Sequence, residues 1–211
     1  MIAALQTAIT RIADLGGPVV LILIAVSILT CSVVLYKLWH FTHARVGKHA
    51  ALMAAVTAWD SGDARAATAH LAKSRSYLRE VLDQAMNGQT DRARLEAEAE
   101  TRFARLESGF RLLDSVAQMA PLLGLFGTVL GMITAFQSLQ EAGAQVDPSI
   151  LAGGIWVALL TTAAGLAVAM PTALILSWFE ARMDRERVFA ERAVHTVLSP
   201  AIPPETARRD A

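Results

Sequence analysis

Apolar positions along the chain gather into three long blocks. Leu15–Tyr36, Ser115–Gln140 and Pro148–Phe179 contain no Asp, Glu, Lys, Arg or His, in runs of 22, 26 and 32 residues. At roughly 1.5 Å of rise per residue, each run as a helix reaches the roughly 30 Å needed to cross a bilayer core. The pattern predicts an all-α integral membrane protein with transmembrane helices over 15–39, 115–140 and 148–179. Polar residues return between the first two blocks, and from His49 to Ala85 strong helix formers dominate. Turn chemistry at Ser61-Gly62-Asp63 and Asn87-Gly88 divides that stretch into two or three short helices. After Thr90 the apolar residues Leu95, Phe103, Leu106, Phe110 and Leu113 recur at helical spacing, with no glycine before Gly109. This predicts that the second membrane helix begins well outside the bilayer as one long helix. Arg182–Arg192 extends the third span in the same way, so both have long cytoplasmic helical extensions. The remaining segments are a short outer stretch over 1–14, a cytoplasmic helical segment over 40–114, an outer loop over 141–147, a helical extension over 180–199 and a loose, proline-rich tail over 200–211.

Composition sharpens this picture. Hydrophobic residues make up 54% of the 211 and charged ones only 18%, against about 25% charge in an ordinary soluble domain. A soluble single-domain enzyme is excluded as the default. No phosphate-binding glycine loop and no nucleophile–base pair occurs, so the chain is not expected to be an enzyme. The net charge is zero, with no basic excess to serve a nucleic acid. A single cysteine, Cys31, excludes a disulfide framework or a multi-cysteine metal site, and no cofactor or metal is expected. His40 and His43 fall on one helix face, but no carboxylate pattern accompanies them, so solvation at the membrane edge is the preferred reading.

The basic residues set an orientation. Twelve of the 19 Lys and Arg lie from Lys37 to Arg111 and six from Arg182 to Arg209, leaving Arg11 alone on the other side. Basic residues near membrane ends stay in the cytoplasm, which predicts N-out/C-in. A cleaved signal sequence has an apolar core of about 7–15 residues, shorter than the first run, so that run is read as a retained span.

The second and third runs carry a stripe each. Gly124, Thr128, Gly131, Ala135 and Ser138 follow at spacings of four and three, as do Ala158, Thr162, Gly165, Ala169 and Thr172. Such stripes let helices approach closely in lipid, and Gly127-x-x-x-Gly131 adds a close-packing spacing. Packing alone accounts for small residues; hydroxyls near mid-span, Thr128, Thr161 and Thr162, add a polar line. Neither run holds a titratable side chain, and a threonine hydroxyl does not exchange its proton at physiological pH. Any proton carrier at this depth must come from another chain.

The stretch Ala120-Pro121-Leu122-Leu123-Gly124-Leu125-Phe126-Gly127-Thr128-Val129-Leu130-Gly131-Met132 resembles the second membrane helix of the MotA/TolQ/ExbB proton-channel family. Ala158-Leu159-Leu160-Thr161-Thr162-Ala163-Ala164-Gly165-Leu166, with Pro171 after it, is similar to the third helix of the ExbB and TolQ branch. The flagellar branch has a fourth span, which this pattern lacks. The resemblance implies a homopentamer around a central pore in the bacterial inner membrane. The pore would enclose the single helix of an ExbD- or TolR-like partner that supplies a membrane aspartate, and the work would pass to a TonB- or TolA-like transducer. It also implies that Thr128 and Thr162 face the pore, with Thr161 beside them. Gly124, Gly127, Gly131, Ala158, Gly165 and Ala169 remain as packing residues, and Pro171 is expected to bend the third helix. One departure stands out: relatives usually place a glutamate at the position held here by Val157.

Two functions follow from these readings. The first is a proton-driven motor subunit serving outer-membrane import, or, in a TolQ-like role, envelope maintenance. The second is a non-conducting oligomeric membrane scaffold, which Val157 and the absence of titratable groups favour.

Overall fold

A computed structural model describes residues 2–88, 90–141 and 148–203, with side chains described from Gly17 onward except at Ile150. Its elements are all helical: α1 Ile2–His43, α2 Ala50–Asp60, α3 Ala64–Lys73, α4 Arg79–Met86, α5 Arg92–Glu107, α6 Phe110–Glu141 and α7 Pro148–Leu198. Within α1 the helical path is interrupted at Gly17, whose φ of 66° and ψ of −171° suit a glycine that precedes a proline. The apolar span therefore starts afresh at Gly17–Pro18.

The chain forms two compact units. The first comprises residues 1–35 and 109–177. Its interior is thin: Val19 and Leu23 of α1 meet Val116 and Ala120 of α6 and Ala169 of α7, with Val26, Leu123, Ala164 and Val168 around them. Large apolar side chains point outward instead, among them Ile28, Leu122, Phe126, Leu159 and Leu174, all more than half exposed. Three helices are long and apolar enough to cross a membrane, and only 22–28% of their most apolar windows is buried within the chain. Apolar faces of that extent are not sustained in water; in a bilayer they meet lipid or another subunit.

The second unit comprises residues 36–108 and 178–211. It has the ordinary polarity of a soluble fold, with Leu52, Leu71, Leu82, Leu95, Phe103, Phe179 and Met183 fully or almost fully buried. Its turns obey local chemistry. Asp63 caps α3 by accepting from Ala66 N–H at 2.8 Å, and Asp91 caps α5 by accepting from Ala93 and Arg94. Gly62 and Gly88 take the left-handed conformations that end the helices before them.

Ion pairs and buried polar groups tie this unit together. Arg187 of α7 pairs with Glu100 and Glu107 of α5, and Arg102 bridges Glu80, Glu98 and the Tyr77 carbonyl. Glu186 is 3% exposed and accepts from Tyr77 Oη–H at 2.6 Å and from His49 Nε2 at 2.7 Å. Because an ionised carboxylate only accepts, Nε2 of that imidazole carries a hydrogen. Burial pushes the Glu186 carboxyl up, but the bonds from His49 and Tyr77 and the charges of His49 and Arg182 outweigh it and hold the group below the usual carboxylate range. Burial and the same carboxylate push the Tyr77 phenol well above its ordinary value.

Two sequence expectations change here. The helix expected to run unbroken from Thr90 into the membrane is divided at Ser108 and Gly109, where Ser108 is extended at ψ 129° and Gly109 has φ 89°. Gly109 is the first glycine after Thr90, and it marks the break. The tail expected to be loose from residue 200 is held through Ile202: Asp60 Oδ1 accepts from Ala201 N–H at 2.8 Å, and the Asp60 carbonyl accepts from Ile202 N–H at 3.0 Å. Residues 204–211 lie outside the described residues, as do residues 142–147 of the loop expected over 141–147.

Candidate functional site

The small-residue stripes of α6 and α7 face each other, and the fit is decided by missing side-chain atoms. A Cβ on Gly124 would lie 2.8 Å from the Thr161 carbonyl oxygen and 3.1 Å from Thr162 Cα. A Cβ on Gly165 would lie 2.5 Å from the Ala120 carbonyl oxygen. Gly127 is occupied in the same way by the Thr161 side chain, at 2.7 Å, and Gly131 by Ala158 Cβ at 3.3 Å. Close backbone approach of this kind is how apolar helices gain dispersion and carbonyl contacts in lipid, where no hydrophobic drive separates them from their solvent. Gly124, Gly127, Ala158, Gly165 and Ala169 are buried, and Gly131 is half-buried.

The hydroxyls divide into two kinds. Thr161 is 1% exposed, donates to the Ala158 carbonyl at 2.7 Å and stands 3.2 Å from the Gly124 carbonyl. Its side chain belongs to the α6–α7 seam. Thr128 and Thr162 are half-buried. Thr128 donates to the Leu125 carbonyl one turn back at 2.6 Å; with its proton so engaged, its oxygen keeps its lone pairs for an outside donor. Thr162 reaches the Gly124 carbonyl only at 3.4 Å, a long contact that holds its hydroxyl weakly. The Gly124 carbonyl thus lies within reach of both neighbouring threonines of α7.

Val157 is half-buried on α7, one residue before Ala158, and Pro171 is exposed within the same helix. The stripe also extends one turn further than the sequence spacing predicts. A Cβ on Gly154 would overlap that of Ala135, so Gly154 joins the seam, whereas Gly153 beside it has open space. The four-residue step from Gly154 to Ala158 was the available signal. In the second unit, the trio of buried Glu186 with half-buried His49 and Tyr77 escaped sequence reading altogether, because His49 and Glu186 lie 28 and 109 positions from Tyr77 and carry no motif. Lys37 is likewise buried, donating to the Leu106 carbonyl and to Ser108 Oγ, both at 3.1 Å.

Among the described residues no group of three or more His, Cys, Asp or Glu is placed to hold a metal ion. The arrangement can pack two helices at backbone distance and present two threonine hydroxyls at mid-span.

Comparison with known proteins bears on what such an arrangement serves. Residues 58–191 match the model of the MotA/TolQ/ExbB proton channel family. The chain is 40% identical over half its length to biopolymer transport protein ExbB-like 1 of Synechocystis sp., 46% identical over 32% of its length to biopolymer transport protein exbB1 of Vibrio cholerae, and 35% identical over 44% of its length to Tol-Pal system protein TolQ of Pseudomonas aeruginosa. The matched stretches span 42%, 29% and 44% of those relatives' own lengths. With its family model matched over more than half the chain and its apolar glycine–threonine helices in place, the protein belongs to the MotA/TolQ/ExbB proton channel family, in the ExbB/TolQ branch.

Proposed function

We propose that this chain is the channel-forming subunit of a proton-driven motor in the bacterial inner membrane. In this reading it assembles N-out/C-in as a homopentamer, and its α6 and α7 surround the single membrane helix of an ExbD- or TolR-like partner. That partner brings the titratable aspartate, and the work passes to a TonB- or TolA-like protein for outer-membrane import. The supporting observation is the pair Thr128 and Thr162. Both hydroxyls lie at mid-span and both are half-buried; Thr128 turns back on its own helix, and Thr162 meets the seam only through the long 3.4 Å contact to the Gly124 carbonyl, whereas Thr161 is buried in it.

Their chemistry suits a carboxyl group that alternates between charged and neutral forms. An ionised carboxylate in the membrane interior is costly and takes up a proton readily. The acid it becomes has one O–H to donate, for which the Thr128 oxygen is an acceptor, and a carbonyl to accept, for which Thr162 has a loosely held donor. An interhelical hydrogen bond in a membrane contributes about 0.6 kcal/mol, against roughly 2.3 kcal/mol per charge per 100 mV from the potential. The threonines therefore position and hydrate the acid, and the potential drives the cycle.

Proton flux into liposomes containing the chain, with and without its single-span partner, tests this reading. Flux only with the partner, lost when the partner's membrane aspartate becomes asparagine, is the expected result. No flux from a verified stable complex would favour the second reading, a non-conducting scaffold. That alternative is supported by Val157, which stands where relatives usually carry a glutamate, and by the glycine stripe, whose close contacts are spent within one chain. Within the motor reading a TolQ-like role in envelope maintenance is the alternative, since relatives named ExbB and TolQ both match the chain.

A further inference from the structure

The cytoplasmic end of α1 combines three features that no part of the channel reading uses. From Leu15 to Trp59 the chain has no acidic residue, and its formal cations there are Lys37, Arg45 and Lys48. Lys37 is turned inward onto Leu106 and Ser108. Arg45 and Lys48 are exposed, and among the described residues neither forms an ion pair.

The second feature is a pair of ring stacks. Tyr36 lies over His40 at 5.8 Å and Trp39 over His43 at 5.3 Å, both close to parallel. The spacing of four places these rings along the last turns of an apolar helix. Tyr36 is 56% and Trp39 63% exposed. Amphipathic rings of this kind sit at the level of lipid headgroups, apolar body toward the acyl chains and polar edge toward water.

The third is the backbone that follows. Val46 N–H donates to the Phe41 carbonyl at 3.1 Å and Arg45 N–H to that of Thr42 at 3.3 Å, the paired bonds of a Schellman ending. That ending calls for a left-handed residue, ordinarily glycine, and here it is Arg45 with φ 55°. Arg182 holds the same turn from beneath by donating to the Val46 carbonyl at 3.2 Å. A side chain that strains the backbone is thus carried on a braced turn, one helical turn past the aromatic rings.

We propose that this end of α1 recognises the headgroup of an anionic phospholipid. Tyr36 and Trp39 lie along the glycerol and upper acyl chain, and His43, Arg45 and Lys48 donate to the phosphate. The acid-free surroundings admit a negative charge without repulsion, and the occupant is the membrane leaflet itself, because the rings supply an apolar contact that a free phosphate has no use for. The proposal rests on α1 crossing the bilayer and not on proton conduction, so a failure of the channel reading leaves it standing.

The test uses the full chain in vesicles that contain brominated phosphatidylglycerol or brominated phosphatidylcholine, with Trp156→Phe and Trp178→Phe so that Trp39 reports. Trp59 is kept, since it is buried and donates to the Val197 carbonyl, and its emission serves as a fold control. Trp39 should favour phosphatidylglycerol by roughly fivefold, the factor one basic residue near an anionic surface supplies. Arg45→Gly together with Lys48→Gln should bring the two lipids level; the glycine relaxes the left-handed position, so loss of folding is not the expected cause. Equal quenching by both lipids in the parent protein, or an undiminished preference in the double variant, overturns the proposal. A preference abolished by inorganic phosphate, against chloride of matched ionic strength, would assign the site to free phosphate and overturn the lipid assignment.

Discussion

The carbonyl oxygen of Ala120 stands 2.5 Å from the point where a Cβ on Gly165 would lie, so α6 and α7 meet there backbone to backbone. Gly165→Ala places a methyl group against a carbonyl that has no rotamer to yield. The expected cost is roughly 1–3 kcal/mol, the range for overpacking. Gly153→Ala, at a position with open space, should cost nothing. Thermal unfolding of the two variants in the same detergent separates them, and equal midpoints would contradict the contact.

The three mid-span threonines should separate by phenotype. Thr128→Val and Thr162→Val are expected to lower proton-dependent activity by roughly tenfold or more, about 1.4 kcal/mol in a barrier, with the oligomer intact by native gel. Thr161→Val should act on stability instead, because its hydroxyl is buried between Ala158 and Gly124.

Lys37→Met removes a donor from the Leu106 carbonyl and from Ser108 while keeping much of the side-chain volume. A buried carbonyl left without that partner costs about 1–3 kcal/mol. Limited proteolysis within residues 36–108 should accelerate in the variant, and an unchanged digestion rate would show that the bond contributes little.

Acid should loosen the second unit through Glu186. Its carboxyl titrates below the ordinary value in the folded chain, so its contribution is complete above the unfolded value of about 4.3 and is lost as the pH falls through the lower folded one. Glu186→Gln should flatten this part of an acid titration followed by Trp59 fluorescence.

Tyr77 behaves with the opposite sign. Its phenol is raised by burial and by Glu186, so the stability it contributes is present below about pH 10 and declines as the pH rises toward the folded value. In a Tyr36→Phe background, phenolate absorbance should appear only well above that pH, and Glu186→Gln should bring it down.

The fold was legible where one physical term dominates. Charge-free runs of 22 or more residues admit few structures besides a membrane helix, and the turns at Gly62 and Gly88 were visible because left-handed backbone selects glycine. Gly109 carried the same signal, but the apolar period from Leu95 to Leu113 concealed the break by continuing across it in phase. The seam between α6 and α7 was legible as a stripe, though not which hydroxyl it would consume: Thr161 and Thr162 are neighbours in sequence, and only the helix rotation sends one inward. The trio of Glu186, His49 and Tyr77 was out of reach, since a buried carboxylate selects its partners by tertiary distance.

The seam of α6 against α7 also sets how the gene can vary. On the inner face each position is bounded from above: adding one carbon at Gly124, Gly127 or Gly165 collides with the neighbouring helix. On the outer face, at Leu122, Phe126 or Leu159, size is free, and a charge is what the surroundings refuse. One helix is thus read by two filters, volume on one side and polarity on the other. A deep mutational scan of residues 115–140 should resolve them as two interleaved stripes with opposite tolerance, one refusing even alanine at Gly124 and Gly127, the other accepting leucine but not aspartate.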